Sequence, residues 1–138
     1  MNIAFDCEAV MGPGSRNRGI GNYTVNQIRA LVRSDPENHY FFFNLFGSCD
    51  YFTEEVEAGL LTEYDYTCVV NGRFLFGGER KAVLGELLRR FLRENSIDLF
   101  YVTSPFDGFF PTYEKEWFEG CRVCATCYDI IPWIYPEW

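Results

Sequence analysis

The sequence predicts an α/β fold in which helices cover both faces of a parallel β-sheet. Apolar runs of strand length alternate with stretches of helical periodicity along the chain. The run HYFFFNLF, residues 39–46, is almost continuously apolar, as in strands that are covered on both faces. Residues 79–95 carry a single apolar stripe at helical spacing. A chain of 138 residues supplies one core, so residues 1–138 are expected to form a single domain.

The first half of the chain predicts two strands and one helix. Residues 2–7 form a short apolar run and the first strand, and residues 8–21 form a long loop rich in glycine and arginine. Residues 22–34 place apolar side chains at helical spacing, with Asn22 as the expected N-cap. The second strand is the aromatic run 39–46.

The second half predicts three more strands and the clearest helix. One short helix is expected between residues 47 and 63. The remaining expected elements are a third strand at 64–70, a helix at 79–95, a fourth strand at 97–102 and a fifth strand at 121–127. In open parallel sheets the ligand lies beyond the carboxyl ends of the strands. Here those ends carry the loops 8–21, 103–110 and 128–138.

The glycine-containing segment R-G-I-G-N-Y-T, residues 18–24, lies between the first strand and the first helix. A dinucleotide-binding fingerprint would need glycine where Thr24 stands, so that interpretation is disfavoured. Gly19 and Gly21 either supply turn geometry alone or let backbone N–H groups approach a phosphate at the helix N-terminus. Arg16 and Arg18 favour a loop that faces an anion.

Composition excludes several classes of function. The net charge of −8 argues against nucleic-acid binding, which requires a basic face. No apolar run reaches the roughly 20 residues of a membrane-spanning helix, and the N-terminus lacks the basic region of a signal peptide. The chain is therefore expected to be cytoplasmic, and its six cysteines are expected to be reduced thiols.

Three of the cysteines have the spacing of a metal-binding loop. Cys121, Cys124 and Cys127 lie three residues apart, but Ile131 stands at the fourth ligand position of a ferredoxin run. Side chains alternate between the faces of a strand, so these thiols could not surround one ion if residues 121–127 are extended. We therefore expect buried structural thiols and no metal site.

Two motifs near the ends of the chain carry a family resemblance. Y-D-I-I-P at 128–132, followed by Y-P-E at 135–137, resembles a motif of the retaining GT-B glycosyltransferases of family 4, also called group 1. R-G-I-G-N-Y at 18–23 is similar to the glycine loop of the same family, and D-L-F-Y-V-T-S-P at 98–105 precedes the second motif in the expected order. The resemblance implies the Rossmann-like N-terminal domain of such an enzyme.

In that family the N-terminal domain binds the acceptor. The resemblance implies transfer of a sugar from a nucleoside-diphosphate sugar, the co-substrate, to a saccharide or lipid-linked acceptor without a cofactor or a metal. The C-terminal nucleotide-sugar domain is absent, so we expect a fragment that is inactive alone; peripheral membrane association of the full-length enzyme stays open. The implied site residues are Arg18, Gly19 and Gly21 at the donor phosphates, Ser104, Phe106 and Asp107 at the acceptor, and Tyr128 and Asp129 in catalysis.

One departure from the family pattern bears on the chemistry. Tyr128 stands where the family frequently has histidine, and tyrosine can bond a hydroxyl but is a poor base at neutral pH. The alternative function is a non-catalytic flavodoxin-like or receiver-like interaction module. Asp6 and Glu8 partly supply the acidic cluster of a receiver, but residues 128–132 contain no lysine.

Overall fold

A five-stranded, all-parallel sheet forms the centre of the protein. The computed structural model describes residues 1–70, 78–105 and 113–128. The strands are β1 (Asn2–Asp6), β2 (His39–Asn44), β3 (Thr62–Asp65), β4 (Leu99–Val102) and β5 (Arg122–Ala125). Their order across the sheet is β3-β2-β1-β4-β5. The predicted Rossmann-like α/β fold is confirmed.

Helices connect the strands. They are α1 (Glu8–Met11), α2 (Gly19–Ser34), α3 (Thr53–Glu57), α4 (Thr67–Val70) and α5 (Gly78–Glu94), with single 3-10 turns at Asp50–Phe52 and Lys115–Phe118. The connection from β1 to β2 and the one from β3 to β4 cross the sheet in opposite directions, so right-handed crossovers place α2 and α5 on opposite faces. Within the described residues, no helix is long and apolar enough to span a membrane.

Side-chain alternation divides the aromatic core between the two faces. Phe5 packs edge-on against Tyr101, whose hydroxyl bonds Gln27 of α2 at 3.3 Å. On the other face Phe43 lies 4.9 Å, centroid to centroid, from Phe91 of α5. Successive strand residues point to opposite faces, so the strands must be apolar throughout to fill both cores. This explains why the aromatic run of β2 shows no polar alternation.

Several predicted elements differ from the observed ones. Residues 8–21 were expected to be loop, but they contain α1 and the first turn of α2. The third strand, expected at 64–70, lies at Thr62–Asp65 and gives way to α4. Asp65 causes the change, because its carboxylate accepts hydrogen bonds from the backbone N–H of Thr67 (2.8 Å) and from its hydroxyl, which turns the chain out of the strand.

The cysteine-bearing strand lies at the edge of the sheet, so the prediction of a buried strand is wrong. β5 spans only four residues, of which Cys124 is the one cysteine, and Val123 is 46% exposed. Cys121 and Cys124 are half-buried, and Cys127 is exposed. All six cysteines are free thiols. Among the described residues, no three His, Cys, Asp or Glu side chains cluster closely enough to hold a metal ion.

Gly85 of α5 is tightly packed against an indole ring. A Cβ at this position would lie 2.7 Å from the Trp117 side chain, which is itself buried. Gly85→Ala is expected to lower the free energy of unfolding by about 1 kcal/mol, because crowding of about 1–3 kcal/mol outweighs the gain in helix propensity of about 1 kcal/mol. Urea denaturation measures the change. A rise in stability, as at an uncrowded helical glycine, would contradict this packing.

Candidate functional site

The candidate site lies at the carboxyl ends of β1, β4 and β5, beside the start of α2. β1 pairs with β2 on one side and with β4 on the other. The connections that leave β1 and β3 run in opposite directions, which makes the ends of β1 and β4 the switch point of the sheet. In open α/β sheets, ligands bind in the crevice at this point.

The start of α2 differs from the prediction. The helix begins at Gly19 with Arg18 as its N-cap, so the assignment of Asn22 as the N-cap is wrong. Turns that precede the helix are closed by backbone hydrogen bonds from Arg16 to Gly12 (2.8 Å) and from Arg18 to Ser15 (2.9 Å). Because the chain is already turning before residue 19, the N-cap lies four residues earlier than the apolar periodicity indicates.

The two predicted loop glycines have different environments. Gly19 lies in the first turn of α2, and a Cβ placed there would meet nothing within 4 Å. Gly21 is buried, and its Cβ would lie 2.7 Å from the carbonyl oxygen of Ser15 and 3.0 Å from that of Ala9. Gly21 therefore allows α2 to pack closely on α1, whereas Gly19 leaves the N-terminus of the helix open to a ligand.

The two motifs of the family resemblance meet in space. The Tyr128 hydroxyl lies 2.7 Å from Thr24 Oγ1, across 104 residues of sequence. The Tyr128 ring also contacts the ring of Tyr23 edge to face, at 5.7 Å between centroids. Tyr23 is 57% exposed and lies one helical turn after Gly19, so the open helix end and the aromatic pair form one surface.

Tyr128 is half-buried, which determines its protonation. Burial is the main cause that raises the pKa of its phenol, with the nearby Tyr101, Tyr23 and Asp6 adding to it and the Thr24 hydrogen bond opposing it. The phenol therefore stays protonated at neutral pH and can donate or accept a hydrogen bond, but it cannot act as a base. The catalytic role of Tyr128 stays a prediction, and the chemistry that its phenol can supply is hydrogen bonding.

Below this surface, a buried aspartate joins the ends of β1 and β4. Asp6 Oδ1 accepts hydrogen bonds from the backbone N–H of Thr103 at 2.9 Å and from the Thr103 hydroxyl. Thr103 Oγ1 in turn accepts the N–H of Ala9 at 3.0 Å, at the start of α1. One carboxylate thus fixes the backbone on both sides of the switch point, including that of the predicted acceptor residue Ser104.

The Asp6 carboxyl has an unusual proton affinity. Burial raises its pKa from 3.8 to about 6, although its contacts with Thr103 and with Tyr113 favour the charged form. Within the described residues, neither the buried Oδ2 atom nor the buried Tyr113 hydroxyl makes a hydrogen bond of good geometry, although Tyr113 favours the charged form of the carboxyl. Buried carboxyls with raised pKa values are typical of functional sites, but structural networks produce them too.

The predicted site residues are only partly brought together. Tyr23 connects two of them, because it lies one turn after Gly19 and its ring contacts Tyr128. Arg18 is exposed at the N-cap of α2, and half-buried Ser104 follows Thr103. Phe106, Asp107 and Asp129 lie outside the described residues.

Sequence reasoning missed three residues that build the site. Tyr23 lies within the quoted glycine-loop motif but was given no role, and the hydroxyls of Thr24 and Thr103 gave no signal of their own. Asp6 was considered only as part of a receiver-like acidic cluster. Its position at the last residue of the central strand, where a ligand site is expected, is the signal that would have singled it out.

Comparison with known proteins adds no identification. No protein-family model, no curated protein and no solved structure matches the chain.

Proposed function

We propose that the chain is the acceptor-binding, N-terminal part of a GT-B glycosyltransferase. The observation that carries the proposal is the contact between the two motifs of the resemblance. Tyr23, the last residue of the glycine-loop motif, contacts the ring of Tyr128, the first residue of Y-D-I-I-P, and the next residue, Thr24, shares a hydrogen bond with Tyr128 across 104 residues of sequence.

Sheet order favours this function over the alternative. Flavodoxin-like and receiver domains have the order 2-1-3-4-5, in which the third strand neighbours the first. Here β4 neighbours β1 and β3 lies at the far edge, which is the Rossmann order. The receiver-like role of Asp6 is also disfavoured, because this carboxyl is fully buried and already engaged by Thr103.

The proposed chemistry uses the open end of α2. A diphosphate leaving group placed at Gly19 would meet the free N–H groups of the first helical turn and the exposed guanidinium of Arg18, which stabilise developing negative charge. The acceptor hydroxyl passes its proton to an oxygen of the departing diphosphate and bonds to the anomeric carbon as the bond between that carbon and the diphosphate breaks. Tyr128 is placed to hydrogen-bond a sugar hydroxyl at this surface.

Gly19→Trp is expected to reduce transfer at least a hundredfold in the enzyme that contains this chain and the sequence encoded after it. Release of nucleoside diphosphate from UDP- and GDP-sugars measures turnover. A Cβ at residue 19 meets no atom within 4 Å, so the indole should obstruct the ligand without disturbing the fold. Gly19→Ala is the matched control and should retain activity.

Two outcomes would contradict the proposal at different points. Unchanged turnover in Gly19→Trp would remove the start of α2 from the mechanism. If the wild-type enzyme released no nucleoside diphosphate from any nucleotide sugar, the glycosyltransferase function itself would be wrong. Circular dichroism of both variants establishes that the comparison is made between folded proteins.

A further inference from the structure

A cleft separate from the Tyr23–Tyr128 surface opens between the loops that follow β1 and β2. Its volume is about 650 Å³, within the range of small-molecule sites of about 300–1,000 Å³. The residues that line it are Met11, Pro13, Arg16, Phe46, Ser48, Asp50 and Tyr51. The cleft lies at the carboxyl edge of the sheet, on the same side as the candidate site.

The wall of this cleft is held against α2. The Tyr51 hydroxyl donates a hydrogen bond to Asn17 Oδ1 at 3.2 Å, and Arg29 of α2 donates to the Tyr51 carbonyl oxygen. Three residues beyond this 3-10 turn, α3 presents the buried Glu55 carboxylate, which pairs with Arg33 of α2. The aromatic wall is therefore fixed in place before any ligand arrives, which lowers the entropic cost of binding.

The chemistry of the lining favours an uncharged, hydroxyl-rich ligand. The cleft contains one cation, Arg16, and one anion, Asp50, so a phosphate would be repelled by the carboxylate as it approached the guanidinium. The Tyr51 ring offers apolar surface to the C–H face of a pyranose. Asp50 and Ser48, both exposed, can accept hydrogen bonds from sugar hydroxyls.

The cleft and the Tyr23–Tyr128 pair lie on opposite flanks of α2. Gln27 and Thr24 contact β4 and the segment after β5, whereas Arg29 contacts the segment after β2. A helix with its side chains is about 10 Å across, which is wider than a single hexose. A ligand that reaches both places must therefore pass beside the N-terminus of α2, next to the proposed phosphate position at Gly19.

We propose that the cleft binds a distal sugar unit of an oligosaccharide acceptor, whose reacting end lies beside Tyr23 and Tyr128. The acceptor of the enzyme is then an oligosaccharide rather than a single sugar. The identification of the ligand as the acceptor rests on the proposed glycosyltransferase function. Saccharide binding in the cleft can be tested independently of that function.

The test measures saccharide binding to the 138-residue chain by isothermal titration or by saturation-transfer NMR. The probes are the trisaccharides of glucose and of mannose, with the monosaccharides glucose and mannose beside them. We expect a trisaccharide to bind at least tenfold more tightly than the matching monosaccharide. Ser48→Trp, which fills the cleft from an exposed position, should weaken trisaccharide binding at least tenfold, and Asp50→Ala should weaken it several-fold.

Ala30→Trp is the matched control, because it adds the same ring at an exposed position of α2 about 16 Å along the helix from Gly19. It should leave binding unchanged. The inference is overturned if neither trisaccharide binds, if Ser48→Trp binds as wild type does, or if trisaccharide and monosaccharide bind equally. Trisaccharide binding lost in Ser48→Trp, without release of nucleoside diphosphate by the whole enzyme, would support the cleft and reject the transferase.

Discussion

Asp6→Asn is expected to raise the free energy of unfolding at pH 7.5 by up to about 3 kcal/mol. The folded-state pKa of about 6 lies roughly two units above the ordinary value of 3.8, and each unit corresponds to about 1.4 kcal/mol. The asparagine oxygen can still accept both hydrogen bonds from Thr103. Its amide would occupy the place of Oδ2, beside the Tyr113 hydroxyl.

The pH dependence of this effect has a definite sign. Because its pKa is raised on folding, Asp6 stabilises the protein fully below about pH 4, where the folded and unfolded states are both protonated at this residue. That stability is lost as the pH rises from about 4 to about 6, and above pH 6 the buried charge carries its whole cost. Wild type and Asp6→Asn should therefore differ little at pH 4 and most above pH 6.

Chemical denaturation at several pH values between 4 and 8 measures this difference. Glu57→Gln, which makes the same carboxylate-to-amide change at an exposed position in α3, is the control. If Asp6→Asn were destabilised by the same amount at every pH, the asparagine would simply fit badly. The buried charge would then not limit stability at neutral pH.

Gly21→Val is expected to lower the free energy of unfolding by about 2–3 kcal/mol. The atoms that a Cβ would meet are the backbone carbonyl oxygens of Ser15 and Ala9, which cannot rotate away as a side chain can. Ser15 is itself anchored, since its hydroxyl donates to the carbonyl oxygen of Glu8 at 3.0 Å. The first turn of α2 must therefore move away from α1 to accommodate the substitution.

The matched comparison is Gly19→Val, two residues earlier, where the added atoms meet nothing within 4 Å of the Cβ. Its stability should change by less than about 1 kcal/mol, the difference in helix propensity between residues. Urea denaturation of both variants checks the pair. Equal losses at the two positions would show that helix propensity, and not the contact between α1 and α2, decides the outcome.

The fold class could be predicted from the sequence more accurately than the first and last residues of the elements. Uninterrupted apolar runs indicated a sheet covered on both faces, and the stripe of α5 indicated its helix to within about a residue at each end. α4 could not be predicted, because Thr67, Val69 and Val70 favour a strand, whereas the local hydrogen bond that the Thr67 N–H donates to the Asp65 carboxylate turns the chain out of the strand. The edge position of β5 depends on the order of the strands in the sheet, and the strand propensity of a segment does not determine that order.

The candidate site was predictable in its location but not in its construction. Strand ends and a glycine-containing helix start indicated where to look, and Gly19, Ser104 and Tyr128 lie there. The separate roles of Gly19 and Gly21 depend on which atoms surround each glycine, and this is a property of tertiary packing. The same holds for Asp6, whose hydrogen-bond partner Thr103 is 97 residues away in sequence.

The hydrogen bond between Thr24 and Tyr128 also determines the stage of chain synthesis at which the site can form. α2 can form early, from residues adjacent in sequence, but its binding surface requires a partner that is synthesised more than a hundred residues later. Ordered loop closure over such a distance is slow compared with helix formation. A nascent chain that has emerged only as far as β4 therefore contains the central strands and the glycine loop, but no assembled site.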